Sequence, residues 1–229
     1  MKTLGLIGGT SWHSTNEYYR AINQMTNERL GGLNASKLFM CSVNMEDFND
    51  LFSKGDWDRV AELLTGIAQK LESIGAEAIV ICANSPHLVA DRIQSGIKIP
   101  IIHIAEETAK EIVQKKIDKV ILLGTKFTME HEFFRNILLK HGIETIIPDA
   151  DDRNFIHNSI FTELGKGIFK AETKEKYLEI INKLTAQNTR GVILGCTEIP
   201  LLIKQSDCSV TTFDTTLIHA RAAVDFALE

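Results

Sequence analysis

The chain has 229 residues, 44% hydrophobic and 24% charged, and a formal net charge of −5. That suits one large domain or two of about 100–120 residues, each with a proper core. No basic run is present to neutralise phosphates, and no apolar stretch reaches the ~18–20 residues that span a bilayer, which argues against nucleic-acid binding and against a membrane protein.

Residues 4–7 read as a buried apolar strand and 14–29 as the helix after it, with Ser14 as N-cap and Glu17 completing a capping box. A strand at 37–43 leads to a helix at 57–74, closed by Gly75 where a left-handed residue is expected. The strand at 78–82 runs into a small polar turn with Pro86 near a helix start; a strand at 99–104 and a helix at 105–115 follow. The second half brings a strand at 119–123, a helix at 130–141 ended by Gly142, a strand at 145–147 and helices at 152–165 and 173–187. A strand at 191–194, Pro200 near another helix start and a last helix at 216–228 complete the chain. Strands rich in Ile, Val and Leu that alternate with helices predict an α/β fold of mainly parallel sheets covered on both faces.

The pattern echoes itself. Segments 79–87 (IVICANSPH) and 192–200 (VILGCTEIP) share one plan, strand then polar turn then helix start; segments 4–11 (LGLIGGTS) and 120–128 (VILLGTKFT) share another. Two similar α/β halves explain both pairs. We place the first at 1–104 plus 212–229, with the final helix returning to it, and the second at 105–211. The opening residues read as a strand rather than as a charged segment before a signal core, so a cytoplasmic location is expected. Cys41, Cys82, Cys196 and Cys208 show neither redox-pair nor zinc spacing, so free thiols and no metal site are expected.

Ligands of parallel α/β sheets bind beyond the carboxyl ends of the strands. Four small polar turns sit at such ends: Gly8-Gly9-Thr10-Ser11, Asn84-Ser85, Gly124-Thr125 and Cys196-Thr197-Glu198. Their hydroxyls, amides and helix N-termini suit an anion, carboxylate or phosphate. Neither a G-x-G-x-x-G fingerprint nor a phosphate-binding loop is present, which disfavours nucleotides. Cys196 precedes a helix start, a setting that lowers a thiol pKa. Its residue context leaves three roles open: a packing cysteine, a nucleophile served by a histidine, or a proton-transfer group. Glu198 beside it tunes or orients the turn. Trp57, Phe133 and Phe134 read as packing residues, His103 as a core or hinge histidine, and Asp214-Thr215 as an N-cap for the last helix.

The string LGCTEIP at 194–200, with Asn84-Ser85-Pro86-His87 upstream and Gly8-Gly9 at the start, resembles the aspartate/glutamate racemase family. Those cofactor-independent enzymes carry a G-C-T-E turn in the second half and a C-N-T-x-H turn in the first. Gly8-Gly9-Thr10-Ser11-Trp12 followed by Tyr18-Tyr19-Arg20 is similar to one subgroup, and the likeness extends through Leu123-Gly124-Thr125 and Asp214-Thr215. The resemblance implies two pseudo-symmetric α/β domains with the site in the cleft between them. It also implies an amino-acid or dicarboxylate substrate, no cofactor and a homodimer, although no surface stripe in the sequence argues for the last.

In that family two thiols work from opposite faces of the α-carbon, one removing a proton while the other returns one. The resemblance assigns Cys196 as one acid/base, with Gly9, Thr10, Ser11, Asn84, Ser85, Thr125, Thr197 and Glu198 around the substrate and Lys166 toward its distal carboxylate. The arginine that some aspartate racemases add from the first half has no counterpart near residues 44–54, where Lys54 reads as a surface residue. The first catalytic position is altered: Ala83 stands where the family has cysteine. Cys82, one residue earlier on a strand, points to the opposite face and reads as a core thiol. His87 reads as a residue that orients the turn. The resemblance therefore implies a racemase acting on aspartate or glutamate, impaired or one-directional because of Ala83. The alternatives are a binding homologue without turnover and a one-thiol hydrolase or lyase.

Overall fold

The computed structural model describes residues 1–229, and the chain divides into two compact units. The first comprises Met1–Ile104 and His219–Glu229. Its strands are β1 (Leu4–Gly8), β2 (Leu38–Ser42), β3 (Ala78–Ile81) and β4 (Ile101–Ile102). They pair in parallel in the order β2-β1-β3-β4. Helix α1 (Trp12–Leu30) joins β1 to β2, α2 (Met45–Lys54) and α3 (Trp57–Ser73) lie between β2 and β3, and α4 (Ala90–Ser95) precedes β4.

The second unit, Ala105–Ile218, repeats this plan. After α5 (Ile104–Gln114) come β5 (Lys119–Gly124), α6 (Lys126–Glu130), α7 (Glu132–Lys140) and β6 (Glu144–Ile146). Next are α8 (Ala150–Thr162), α9 (Ala171–Thr185), β7 (Gly191–Gly195), α10 (Ile199–Leu202), β8 (Thr211–Asp214) and α11 (Thr215–Leu228). The order β6-β5-β7-β8, all parallel, is the first sheet's order again.

The central strands carry the cores. Every residue of β1, β3 and β7 is buried, and each large aliphatic side chain so enclosed is worth about 1.5–3 kcal/mol relative to exposure. In the first unit Leu4, Leu6, Ala78, Val80 and Cys82 pack with Tyr18 and Ile22 of α1 and with Ala220, Ala223 and Val224 of α11. In the second, Ile121, Leu123, Val192 and Leu194 pack with Ile156 and Ile160 of α8 and with Tyr177 and Ile181 of α9.

Local signals fared unevenly. Gly75 and Gly142 follow their helices with positive φ, and Pro86 and Pro200 stand in the first turns of helical segments. The N-cap of α1, however, is Ser11, whose Oγ accepts the Ser14 N–H at 3.2 Å, and Ser14 lies inside the helix. The helix expected over 130–141 is broken at His131, which is extended and separates α6 from α7. Helix α2 and strand β8 are among the elements that escaped the sequence reading. Helix α2 buries only Phe48 and Phe52, and β8 contributes only Phe213 to the interior. Neither offers a long apolar run.

Candidate active site

In the second unit β5 and β7 are neighbours, so their carboxyl ends present two turns side by side. The strands end on the paired glycines Gly124 and Gly195. A Cβ on Gly195 would stand 2.6 Å from the Leu123 carbonyl oxygen, so only glycine lets the backbones approach this closely. Thr125 follows Gly124 and caps α6, its Oγ1 accepting the Thr128 N–H at 3.3 Å.

Cys196 follows Gly195 and is half-buried against the core. Its Sγ donates to Glu198 Oε2 at 2.9 Å, and the Thr197 hydroxyl donates to the same oxygen at 3.1 Å. Glu198 is only 5% exposed. Burial, and then the charge and hydrogen bond of Glu198, push the Cys196 thiol well above its ordinary range. The backbone N–H groups of Glu198 and Thr197 pull the other way but are outweighed. This corrects the expectation of a lowered pKa from a helix N-terminus. Helix α10 is four residues long, and desolvation plus a carboxylate in direct contact outweigh so short a dipole.

Other residues support this turn. Tyr177 lies buried in the same cluster, with its hydroxyl 3.0 Å from the Ser159 hydroxyl. Burial raises its pKa and the charges of Glu163 and Glu198 add to this, so it remains a neutral phenol. Lys166 lies in a 3₁₀ turn (Leu164–Lys166) whose Leu164 belongs to the cluster that Cys196 packs against. Its side chain is exposed and enters no ion pair. A ring group of Phe127, His131, His157 and Phe161 stands beyond β5, with Phe127 and His131 stacked and the His157 and Phe161 centroids 4.8 Å apart. The sequence reading missed it because its members come from α6, α8 and the break between α6 and α7.

The first unit carries the corresponding turns. Gly9 has φ of +95°, and a Cβ there would collide with the Val43 backbone, so Gly8-Gly9 lets β1 turn sharply beside the segment after β2. The Gly9 N–H is accepted by Thr15 Oγ1 at 2.8 Å; Thr10 and Ser11 are half-buried, with Ser11 serving as the cap. After β3 the chain enters the second turn. Cys82 is buried among core residues, its thiol held above the ordinary range by burial alone. Ala83 is half-buried and presents only a methyl group. Asn84 is buried and Ser85 half-buried at the start of a 3₁₀ turn (Ser85–Val89).

His87 Nδ1 bonds the Ala83 carbonyl oxygen at 2.8 Å and so braces the turn after β3. Its ring lies 4.8 Å from that of His103 and 5.4 Å from that of His219. His219 Nε2 donates to the Ile102 carbonyl at 2.6 Å, which leaves Nδ1 to accept from the Tyr18 hydroxyl at 2.8 Å. Burial, with the neighbouring imidazoles, keeps His87 well below the ordinary histidine range and lowers His219 to about 4. Both are neutral at physiological pH. The sequence singled out His87 and His103 but not His219, which lies more than a hundred residues away in the chain.

The chain belongs to the Asp/Glu/Hydantoin racemase family, whose sequence model matches residues 7–223. A solved structure of a putative Asp/Glu racemase from Yersinia pestis is 49% identical, with both chains covered in full and a TM-score of 0.95. That of an aspartate racemase homologue from Pyrococcus horikoshii OT3 is 36% identical, again over 100% of both chains, with a TM-score of 0.89. The broad specificity amino-acid racemase RacX of Bacillus subtilis (strain 168) is 24% identical over 169 residues, 74% of this chain and 73% of that protein. The two parallel α/β halves expected from the repeat are thus those of the racemase fold, with β8 adding a fourth strand to the second sheet.

Proposed function

We propose that this chain is a cofactor-independent amino-acid racemase-type enzyme that moves the α-proton of an acidic amino acid with Cys196, and that Ala83 confines exchange to one enantiomer. The observation that carries this reading is the Cys196–Glu198 contact: a thiol donating to a carboxylate at 2.9 Å beyond the end of β7.

Racemisation needs a group that is a thiol in one half-reaction and a thiolate in the other. In the resting pair the proton sits on sulfur, so Cys196 is ready to give a proton to a carbanionic α-carbon. The resulting thiolate is then held by the backbone N–H groups of Thr197 and Glu198. For the reverse step Glu198 takes the thiol proton, the thiolate removes the α-proton, and the Glu198 carboxyl relinquishes its proton afterwards. That proton passes to solvent, and after the thiol returns a proton to the same face of the carbanion the sulfur takes one back from solvent, so the α-proton is exchanged and the pair regains its resting state. The Thr125 hydroxyl is the second unit's candidate donor for charge that develops on the substrate carboxylate, joined by that of Thr197 once it turns from Glu198, and Asn84 and Ser85 are the first unit's candidates for the same task. Gly9, Thr10 and Ser11 complete that unit's part. The free ammonium of Lys166 is suited to a side-chain carboxylate.

The homologous turn in the first unit has no proton to offer at Ala83, so the second face of the α-carbon lacks a thiol. One enantiomer then exchanges its α-proton and the other exchanges slowly or not at all. The same substitution favours a second reading, a carboxylate-binding homologue without turnover. Exchange of the α-proton in D₂O, followed by NMR on L- and D-aspartate and L- and D-glutamate separately, tests both. Exchange with one enantiomer that vanishes in Cys196→Ala supports the proposal. Binding without exchange of either enantiomer sinks it and leaves the second reading standing.

A further inference from the structure

Helix α6 is five residues long, too short to be stable by itself, and side chains of α8 fix both of its ends. At its C-terminal end Arg153 Nε donates to Glu130 Oε1 at 2.9 Å. At its start the Lys126 N–H, one of the amides that a helix leaves without an internal partner, is accepted by His157 Nδ1 at 3.2 Å. Arg153 and His157 stand one turn apart, so one face of α8 grips α6 twice. The imidazole is itself held by rings. Phe127 meets it edge-on with centroids 6.2 Å apart, and Phe161, one turn further along α8, lies 4.8 Å away.

The peptide so gripped is the one that follows Thr125. Its N–H goes to His157, and its oxygen, the Thr125 carbonyl, accepts the Met129 N–H at 3.0 Å. With both ends bonded the peptide plane cannot turn. The buried Thr125 hydroxyl, which accepts the Thr128 N–H at 3.3 Å, therefore keeps its place only while that plane is held. A main-chain N–H can only donate, so Nδ1 carries a lone pair and the proton of the neutral ring sits on Nε2. Burial, and then the charge of Lys126, lower the His157 pKa, with Glu130 pulling the other way. Glu130 is engaged by Arg153, and His131 stacks on Phe127.

We propose that His157 is a positioning residue for Thr125: its unprotonated Nδ1 holds the Thr125–Lys126 peptide so that the hydroxyl is presented to the substrate carboxylate. This role rests on Thr125 being a donor to that carboxylate, as proposed above. His157 moves no proton of the substrate; it acts through the main chain. A proton on Nδ1 would set two donors against each other, break the bond to Lys126 and let the turn open. Acidification through the His157 pKa is therefore expected to weaken α-proton exchange, independently of the state of Cys196 and Glu198.

Two variants and one titration test it. His157→Leu removes the acceptor, whereas His157→Asn sets Oδ1 near the place of Nδ1 and cannot be protonated. In D₂O exchange, kcat/KM is expected to fall about tenfold in His157→Leu, as for the loss of one hydrogen bond. It should stay within about threefold of the native value in His157→Asn, which also loses the part of the acid limb that His157 causes. By NMR the Lys126 amide should be protected from exchange in the native chain and in His157→Asn but not in His157→Leu. The His157 ring should show the Nε2–H tautomer until it protonates, below the ordinary value of about 6.5. Equal losses of kcat/KM in the two variants overturn the proposal, and so does an acid limb unchanged in His157→Asn. If the native chain exchanges no α-proton, the racemase reading fails by itself and the Lys126 amide still decides: the stated pattern of protection upholds the positioning role and any other overturns it. If His157→Leu does not fold, acid titration of the native chain decides. Loss of Lys126 protection in step with protonation of the His157 ring upholds the role; protection that outlasts ring protonation overturns it.

Discussion

Replacing Glu198 by glutamine keeps the shape of the turn and removes only its capacity to take a proton. In the native turn one oxygen, Oε2, accepts from both Cys196 Sγ and Thr197 Oγ1. The amide oxygen of glutamine accepts from both as well, so Glu198→Gln is expected to cost only about 1 kcal/mol of stability, a fall of roughly 2–4 °C in melting temperature for a chain of this size. Chemistry and titration should then move in opposite senses. The Glu198 charge and hydrogen bond both raise the Cys196 pKa, second only to burial, so the thiol of the variant titrates at lower pH. More thiolate is present at neutral pH, yet the group that received its proton during turnover is gone. Loss of a positioned acid/base is worth about 10²–10⁴-fold, or roughly 3–5 kcal/mol of barrier, so α-proton exchange is expected to slow by that factor. The two assays are NMR exchange in D₂O and the pH dependence of iodoacetamide labelling, read by mass spectrometry at the Cys196 peptide. Unchanged exchange, or a labelling midpoint that fails to move down, refutes the assignment of Glu198 as proton partner.

Three further outcomes are expected. Ala83→Cys restores a thiol to the first-unit turn and should raise exchange of the poorly exchanging enantiomer at least tenfold, measured by the same NMR assay; no gain would show that the missing thiol is not what limits the chain. Lys166→Met should raise KM for aspartate or glutamate by about tenfold or more, as expected for the loss of one charge-assisted contact, while leaving turnover of a neutral amino acid, where there is any, unaffected; equal effects on both would assign Lys166 to the surface. His219 is held near 4 when folded against about 6.5 unfolded, so the unfolded chain binds the extra proton first. Its contribution is fully present above pH 6.5 and is lost as pH falls toward 4, about 2 kcal/mol between pH 6.5 and 5, with His87 acting in the same direction. Urea unfolding at stepped pH should show this slope, reduced in His219→Asn; a flat profile would mean that these histidines are not buried and neutral.

How much of this was legible in the sequence depends on the range of the interaction concerned. The alternation of buried strands with amphipathic helices, and the echo between 79–87 and 192–200, revealed two similar parallel α/β halves, because strand burial and helical period are local properties of the chain. Gly75, Gly142, Pro86 and Pro200 marked their turns for the same reason: one residue's own φ decides them. The G-C-T-E string and the alanine at position 83 drew attention to the two turns on which the proposed function rests. Tertiary structure decided what those residues experience. The Cys196 thiol is raised rather than lowered because a core cluster from α8 and α9 removes water from it and the turn folds the Glu198 carboxylate onto its sulfur. Ser11 rather than Ser14 caps α1 because the serine at position 14 is drawn inward to bond the Cys82 carbonyl, 68 residues away. The ring contact of His87 with His219 and the place of β2 at the edge of its sheet follow from the order in which distant segments are joined by hydrogen bonds and packing. No local pattern encodes that order, since the free energy that selects it comes from burial shared among elements far apart in the chain.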